Sequence, residues 1–204
     1  MLTQEIQDMP YQDFVAKLVK SGEVMDKEIS VREEELLDLA DAIGSHCDTL
    51  AQDAFLFFAT SDSYPRAKKL EFKHMATGLR GESGELSDPV KKLVIYRKEI
   101  SPAIFMNVVE EIGDLMFFHT AYNAICIETN FGDPDETLLE LIEGFLKIWN
   151  DFYGNRVGNI TIELAIQHNK EKLAKRYASL SYSNEQANGR ADKHESQKIQ
   201  VTQH

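Results

Sequence analysis

Apolar residues recur along this chain at steps of three and four, and no stretch alternates polar and apolar positions as a half-buried strand would. Ser30 followed by Glu33 reads as a capping box, and Leu36, Leu39, Ile43, Cys47, Leu50, Ala54 and Phe57 continue from it as one stripe. The pattern predicts a long helix, with Gly44 as the point where it could break. Residues 61–65 form a break with good cap chemistry, and a second helix is expected from about Arg66 to Ser87. Pro89 should end or kink it, because proline disfavours helical geometry at Asp88 and clashes with the preceding turn. Ser101-Pro102 opens a helix expected to reach about Glu128, and Asp133-Pro134 opens another, with Leu138, Leu141, Phe145, Ile148 and Phe152 as its stripe. Gly154 to Asn159 reads as a loop, and Thr161 to Ala178 as the last clear helix. Past Ser183 the composition turns polar, and Lys193 to His204 should fray. The expected fold is all-α, a helical bundle over residues 63–182 with a helical extension at 1–62 and a polar tail at 183–204.

Within this pattern the acids fall in unusual places. Glu82 and Glu85 are three apart and share a helix face, as do Glu111 and Asp114. Around Glu111, the residues Ile104, Val108, Leu115, Phe118, Tyr122 and Ile125 lie within roughly 60° of arc, and Met75, Gly78, Leu79 and Leu86 do so around Glu82. Both pairs therefore interrupt an apolar stripe where a solvated pair would oppose it. Unpaired buried carboxylates cost several kcal/mol each. Two readings follow: a structural salt bridge, with Arg80 or Lys92 as partner, or convergence of four carboxylates on a hard cation such as Mg²⁺.

The last helix carries a third polar intrusion. Asn169 lies in line with Ile162, Ile166 and Leu173, and Lys172 and Arg176 fall within about 60° of it. An amide beside two cations suits a phosphate chain or a base edge; a basic helix end favoured by the dipole would look the same. The net charge of −12 argues against a nucleic acid polymer as partner, while a small polyanion can be bridged by a metal cation. Cys47 and Cys126 sit in apolar surroundings and read as buried thiols. No signal peptide is visible at the start, and the longest apolar run, Ala54 to Ala59, is too short to span a membrane. The expectation is a cytoplasmic protein.

At this point a family resemblance emerges. Gly78-Leu79-Arg80-Gly81-Glu82-Ser83-Gly84-Glu85-Leu86-Ser87-Asp88, followed by Lys91-Lys92, resembles the first motif of MazG-like nucleotide pyrophosphohydrolases, and Val109-Glu110-Glu111-Ile112-Gly113-Asp114-Leu115 looks like the second. The stretch Asn169 to Tyr177 is similar to the closing helix of phage and bacterial members, and Ser183, Glu185, Ala187 and Arg190 echo the segment that follows it. The resemblance covers about residues 70–195. It implies an all-α NTP pyrophosphatase fold, dimeric or tetrameric, that cleaves an NTP or dNTP between the α and β phosphates. It implies Mg²⁺, with Mn²⁺ as a substitute, on Glu82, Glu85, Glu111 and Asp114, with Glu82 also orienting or deprotonating water. Asn169, Lys172, Arg176, Lys92 and Arg190 would face the substrate. The chain departs from the family at Pro89, at Asn188-Gly189-Arg190 and between Ala178 and Tyr182.

Two other functions compete. Glu71 and His74 form an ExxH pair, as in di-iron carboxylate bundles, although no second ExxH sits on a core helix. The aromatic cluster Phe55, Phe57 and Phe58 could instead belong to the interface of a non-catalytic helical partner protein, to the core, or to a homodimer seam.

Overall fold

The computed structural model describes residues 9–60, 63–177, 183 and 186. It is all-α: the described residues contain no strand. Among the described residues two short helices, α1 (Tyr11–Leu18) and α2 (Gly22–Glu28), precede five longer ones: α3 (Val31–Thr60), α4 (Arg66–Val94), α5 (Pro102–Thr129), α6 (Thr137–Val157) and α7 (Ile162–Arg176). None of the described helices is long and apolar enough to cross a membrane.

The capping box forms as expected. The backbone N–H of Ser30 donates to Glu33 Oε2 at 2.9 Å, and that of Glu33 donates to Ser30 Oγ at 3.3 Å. The helix then runs unbroken through Gly44. A glycine there costs about 1 kcal/mol against alanine, whereas the flanking Ala40, Ile43 and Cys47 are all buried in the core, and each large apolar side chain buried is worth about 1.5–3 kcal/mol. The same arithmetic overrides the stop signal at Pro89. Its ring removes the N–H that would bond the Glu85 carbonyl, at about 3 kcal/mol. Pro89, Val90, Leu93 and Val94 are nevertheless buried, so α4 continues to Val94.

Two further boundaries move. α6 begins at Thr137, later than Asp133-Pro134, because Asp135 acts as its cap: the Leu138 N–H donates to the Asp135 carboxylate at 3.2 Å. At its other end α6 continues to Val157, leaving a shorter loop than the expected 154–159. Gly158, at φ 97°, makes the turn, and Asn150 holds the loop through paired bonds to the Ile160 backbone at 2.8 Å. Ala178 and most of the 183–204 tail lie outside the described residues.

α3 packs along α4 and α6, α4 along α5, and α5 along α7. α3 falls inside the span 1–62 but shares one apolar core with α4, α5 and α6, closed by rings: Phe57 lies 5.3 Å from Phe72 and 4.7 Å from Phe131, and Phe72 lies 4.7 Å from Tyr122. Of the aromatic cluster on α3, Phe57 is core, Phe58 is half-buried and Phe55 is 62% exposed. Both cysteines are buried and free, and burial pushes Cys47 up to about 12 and Cys126 up to about 11, which keeps them as thiols.

Candidate metal centre

The acids gather where α5 passes between α4 and α7. What allows the close crossing of α5 and α7 is Gly113: a Cβ there would stand 2.6 Å from the Ala165 carbonyl oxygen and 2.9 Å from Asn169 Cβ. The next residue is Asp114. The absent side chain at 113 thus lets α7 lay Asn169 and Lys172 directly over Asp114. Asn169 donates Nδ2–H to Asp114 Oδ1, and Lys172 Nζ donates to Asp114 Oδ2 and, at 3.1 Å, to Glu110 Oε1. Both α7 side chains are buried. On the other flank Gly78 lies under Phe118, whose ring would overlap a methyl group at that position. This brings α4 close to α5 one turn before Glu82.

Glu82, Glu111 and Asp114 each offer a carboxylate oxygen, and the three atoms lie within 4.8 Å of one another, half-buried. Lys172 is bonded to Asp114, and its charge reaches Glu82. Glu111 shows the effect of the crowding most strongly: burial first, then the charges of Glu85, Glu82, Glu110 and Asp114, push its carboxyl up to about 8. Glu82 is also raised, by burial and then by Asp114 and Glu85, with partial relief from its hydrogen bond to Glu111 and from Lys172. Lys172 moves the other way from a buried amine: burial works to lower it, but Asp114 and Glu110 together hold it above the usual lysine range. An all-oxygen, net-anionic pocket with raised acid pKa values fits a hard divalent cation, which relieves the repulsion and takes carboxylate ligands.

The sequence candidates divide accordingly. Glu82, Glu111 and Asp114 come together. Glu85 is exposed and stands outside the triad, close enough for its charge to reach both glutamates. Asn169 and Lys172 enter the site. Arg176 sits one turn further along α7, half-buried. Neither cation weighed as a structural partner reaches the acids: Arg80 pairs with Asp48 on α3 at 2.7 Å, and Lys92 pairs with Asp88. Lys92 is thereby engaged on its own helix and not at the triad. Arg190 lies outside the described residues. Glu71 is exposed and bonded to Lys68 at 2.6 Å, His74 is exposed with its ring 6.1 Å from that of Phe118, and the two form no metal-ligating group among the described residues.

Sequence reasoning missed Glu110, the second acceptor for Lys172. The signal was present in the doubled acid Glu110-Glu111, but the helical wheel turns Glu110 away from the apolar stripe, and its partner is 62 residues distant. It also missed a second polar node on the α3 and α6 side. There His46 Nε2 and His119 Nε2 lie 2.8 and 2.9 Å from opposite oxygens of Asp135, and the Asn123 amide pairs with the Asp135 backbone in both directions at 2.9 Å.

Comparison of the chain with protein-family models, with curated proteins and with solved structures finds no match.

Proposed function

We propose that this chain is a Mg²⁺-dependent nucleoside triphosphate pyrophosphohydrolase, converting an NTP or dNTP and water to the nucleoside monophosphate and pyrophosphate. The observation that carries the reading is the convergence of Glu82, Glu111 and Asp114 within 4.8 Å, floored by apolar helix faces. The resemblance of the two acid motifs to MazG-like enzymes supports the same conclusion. Mg²⁺, or Mn²⁺ in its place, bound by Glu82, Glu111 and Asp114 with Glu85 at the mouth, would polarise phosphate oxygens and favour ionisation of water.

The remaining roles belong to the side chains. Glu82, on the α4 flank, orients the attacking water and accepts its proton, a role that suits a carboxyl raised above the ordinary range. Asn169 fixes Asp114 through its amide. Lys172, shared between Glu110 and Asp114, balances part of the acid charge and presents an ammonium to the phosphates, with Arg176 one turn beyond it. Water oxygen joins the α phosphorus, the bridge to the β phosphate breaks, and pyrophosphate leaves. The resemblance further implies a homodimer or homotetramer.

The test is product analysis with the purified chain, Mg²⁺ and a panel of NTPs and dNTPs that includes deoxyuridine and oxidised forms. Monophosphate and pyrophosphate should appear in equal amounts. A nucleoside diphosphate with orthophosphate as sole products would overturn the assignment.

A further inference from the structure

Lys172 stands across the border of the candidate metal centre. Its Nζ donates to Asp114 Oδ2, a member of the acid triad, and at 3.1 Å to Glu110 Oε1, which is not. The two acids lie one helical turn apart on α5, so a single ammonium from α7 spans them. Asp114 is engaged at both oxygens, because Asn169 donates to Oδ1 while Lys172 donates to Oδ2. The Lys172 side chain is 8% exposed, so its ammonium cannot simply turn to water. The close approach of α7 at Gly113 confines it further. A buried ammonium stripped of its carboxylate is costly, and it leaves one acceptor readily only where another stands within reach. Glu110 is such an acceptor, already in contact.

We propose that Lys172 is a tethered counter-ion, which holds Asp114 Oδ2 while the metal is absent and is displaced toward Glu110 when a divalent cation binds the triad. Glu110 is then a positioning residue, acting through Lys172. The inference rests on the metal-centre reading above and concerns the metal step, not the hydrolysis that follows it. A divalent cation on Glu82, Glu111 and Asp114 sets two positive charges across one carboxylate from the ammonium, and in a half-buried setting they repel strongly. The displacement needs no helix movement: a rotation at the end of the lysine stem exchanges one contact for the other. It has two consequences. The resting site carries its own competitor, which lowers its affinity for metal. Metal binding in turn leaves the ammonium held by Glu110 alone, with N–H groups to spare for a phosphate oxygen, so the metal precedes the phosphate contact.

Calorimetric titration of the full chain with Mn²⁺ alone, without nucleotide, reads the competition. Lys172→Met should bind Mn²⁺ about 10-fold more tightly than wild type. Lys172→Gln, which keeps a donor for Asp114 without the charge, should do the same. Glu110→Gln should bind Mn²⁺ about 10-fold more weakly, and that loss should disappear when it is combined with Lys172→Met. A through-space attraction between Glu110 and the metal would instead cost the same with or without the lysine. A lysine that merely props the site would weaken Mn²⁺ binding when removed. Equal or weaker binding by both Lys172 variants therefore overturns the proposal, as does a Glu110→Gln loss that persists in the double variant. A wild type that binds no Mn²⁺, or binds it equally well after Glu111→Gln, overturns the metal centre and the proposal with it. The expected order of affinities in a chain that releases no pyrophosphate supports the proposal and overturns only the hydrolase reading.

Discussion

Asp135 and Glu111 are carboxylates drawn into the same bundle, and their environments push their acidity in opposite directions. Burial acts to raise both. At Asp135 the hydrogen bonds from His46, the Leu138 N–H and His119, with the charge of His46, outweigh it and hold the carboxyl below the usual range. At Glu111 the neighbours are Glu85, Glu82, Glu110 and Asp114, each a further anion, and the carboxyl rises to about 8. One site supplies donors to a carboxylate and is complete by itself. The other gathers further acids around Glu111, whose charges a bound cation would offset. The difference separates an acid that holds three parts of a fold together from acids whose arrangement could hold a metal ion.

If that distinction is right, removing the Asp135 carboxylate has the largest effect on stability. Asp135→Ala strands two histidines and the first turn of α6, and should cost about 3–5 kcal/mol in urea unfolding. Hydrolysis by the protein that remains folded should stay within about twofold of wild type. Lost activity at unchanged stability would instead make Asp135 a functional acid and erase the contrast.

Glu111→Gln keeps the shape and removes a charge. Activity should fall by about 100-fold or more, about 2.7 kcal/mol of transition-state stabilisation. With EDTA the variant should be as stable as wild type or more so. Mg²⁺ at 100 times its dissociation constant should add about 2.7 kcal/mol to the wild type and less to the variant. Thermal unfolding across a magnesium titration reads both quantities, and equal gains for the two proteins would remove Glu111 from the ligand set.

Lys172→Ala should lower kcat/KM by about 10-fold if the ammonium meets phosphate, and Arg176→Ala likewise. Wild-type kinetics in both variants would mean that α7 does not line the working site.

A further effect concerns pH. A carboxyl with an ordinary value of 4.5 when unfolded and about 8 when folded keeps its proton in the folded state across that interval while the unfolded chain has lost it. Stability without metal therefore falls as pH rises through the window. Asp135 contributes with the opposite sign: its lowered value gives stability that is present at neutral pH and lost as pH falls through the folded value. Comparing wild type with Glu111→Gln in EDTA at pH 5, 6.5 and 8 isolates the first contribution. The advantage of the variant should grow with pH, and a constant difference would show that Glu111 is not raised.

Much of the candidate metal centre was legible because helix periodicity is local. Glu82, Glu111 and Asp114 each interrupt an apolar stripe, and that alone placed them toward the interior. Asn169 and Lys172 showed the same interruption on α7. Which charges meet was not legible, because pairing depends on where helices cross. Arg80, near Glu82 in sequence, points to the far side of α4 and finds Asp48, while Lys172 reaches Asp114 across 58 residues. Pro89 and Gly44 misled for a related reason: local propensity carries a cost of a few kcal/mol, and burial on both sides of each residue exceeds it. The His46–Asp135–His119 node joins a helix middle, another helix and a loop, and no periodic pattern announces such a meeting.

The crossing at Gly113 also sets an order of events during synthesis. Asp114 leaves the ribosome 58 residues ahead of Lys172 and 55 ahead of Asn169, so the acids of α4 and α5 are all made before either α7 partner. Packing of α4 on α5 within that interval brings the acids together with neither α7 side chain present to offset their repulsion. Settling of α7 into the notch left by Gly113 is then the step that brings Lys172 to Asp114, and a divalent cation present at that moment would compete with Lys172 for the same oxygens.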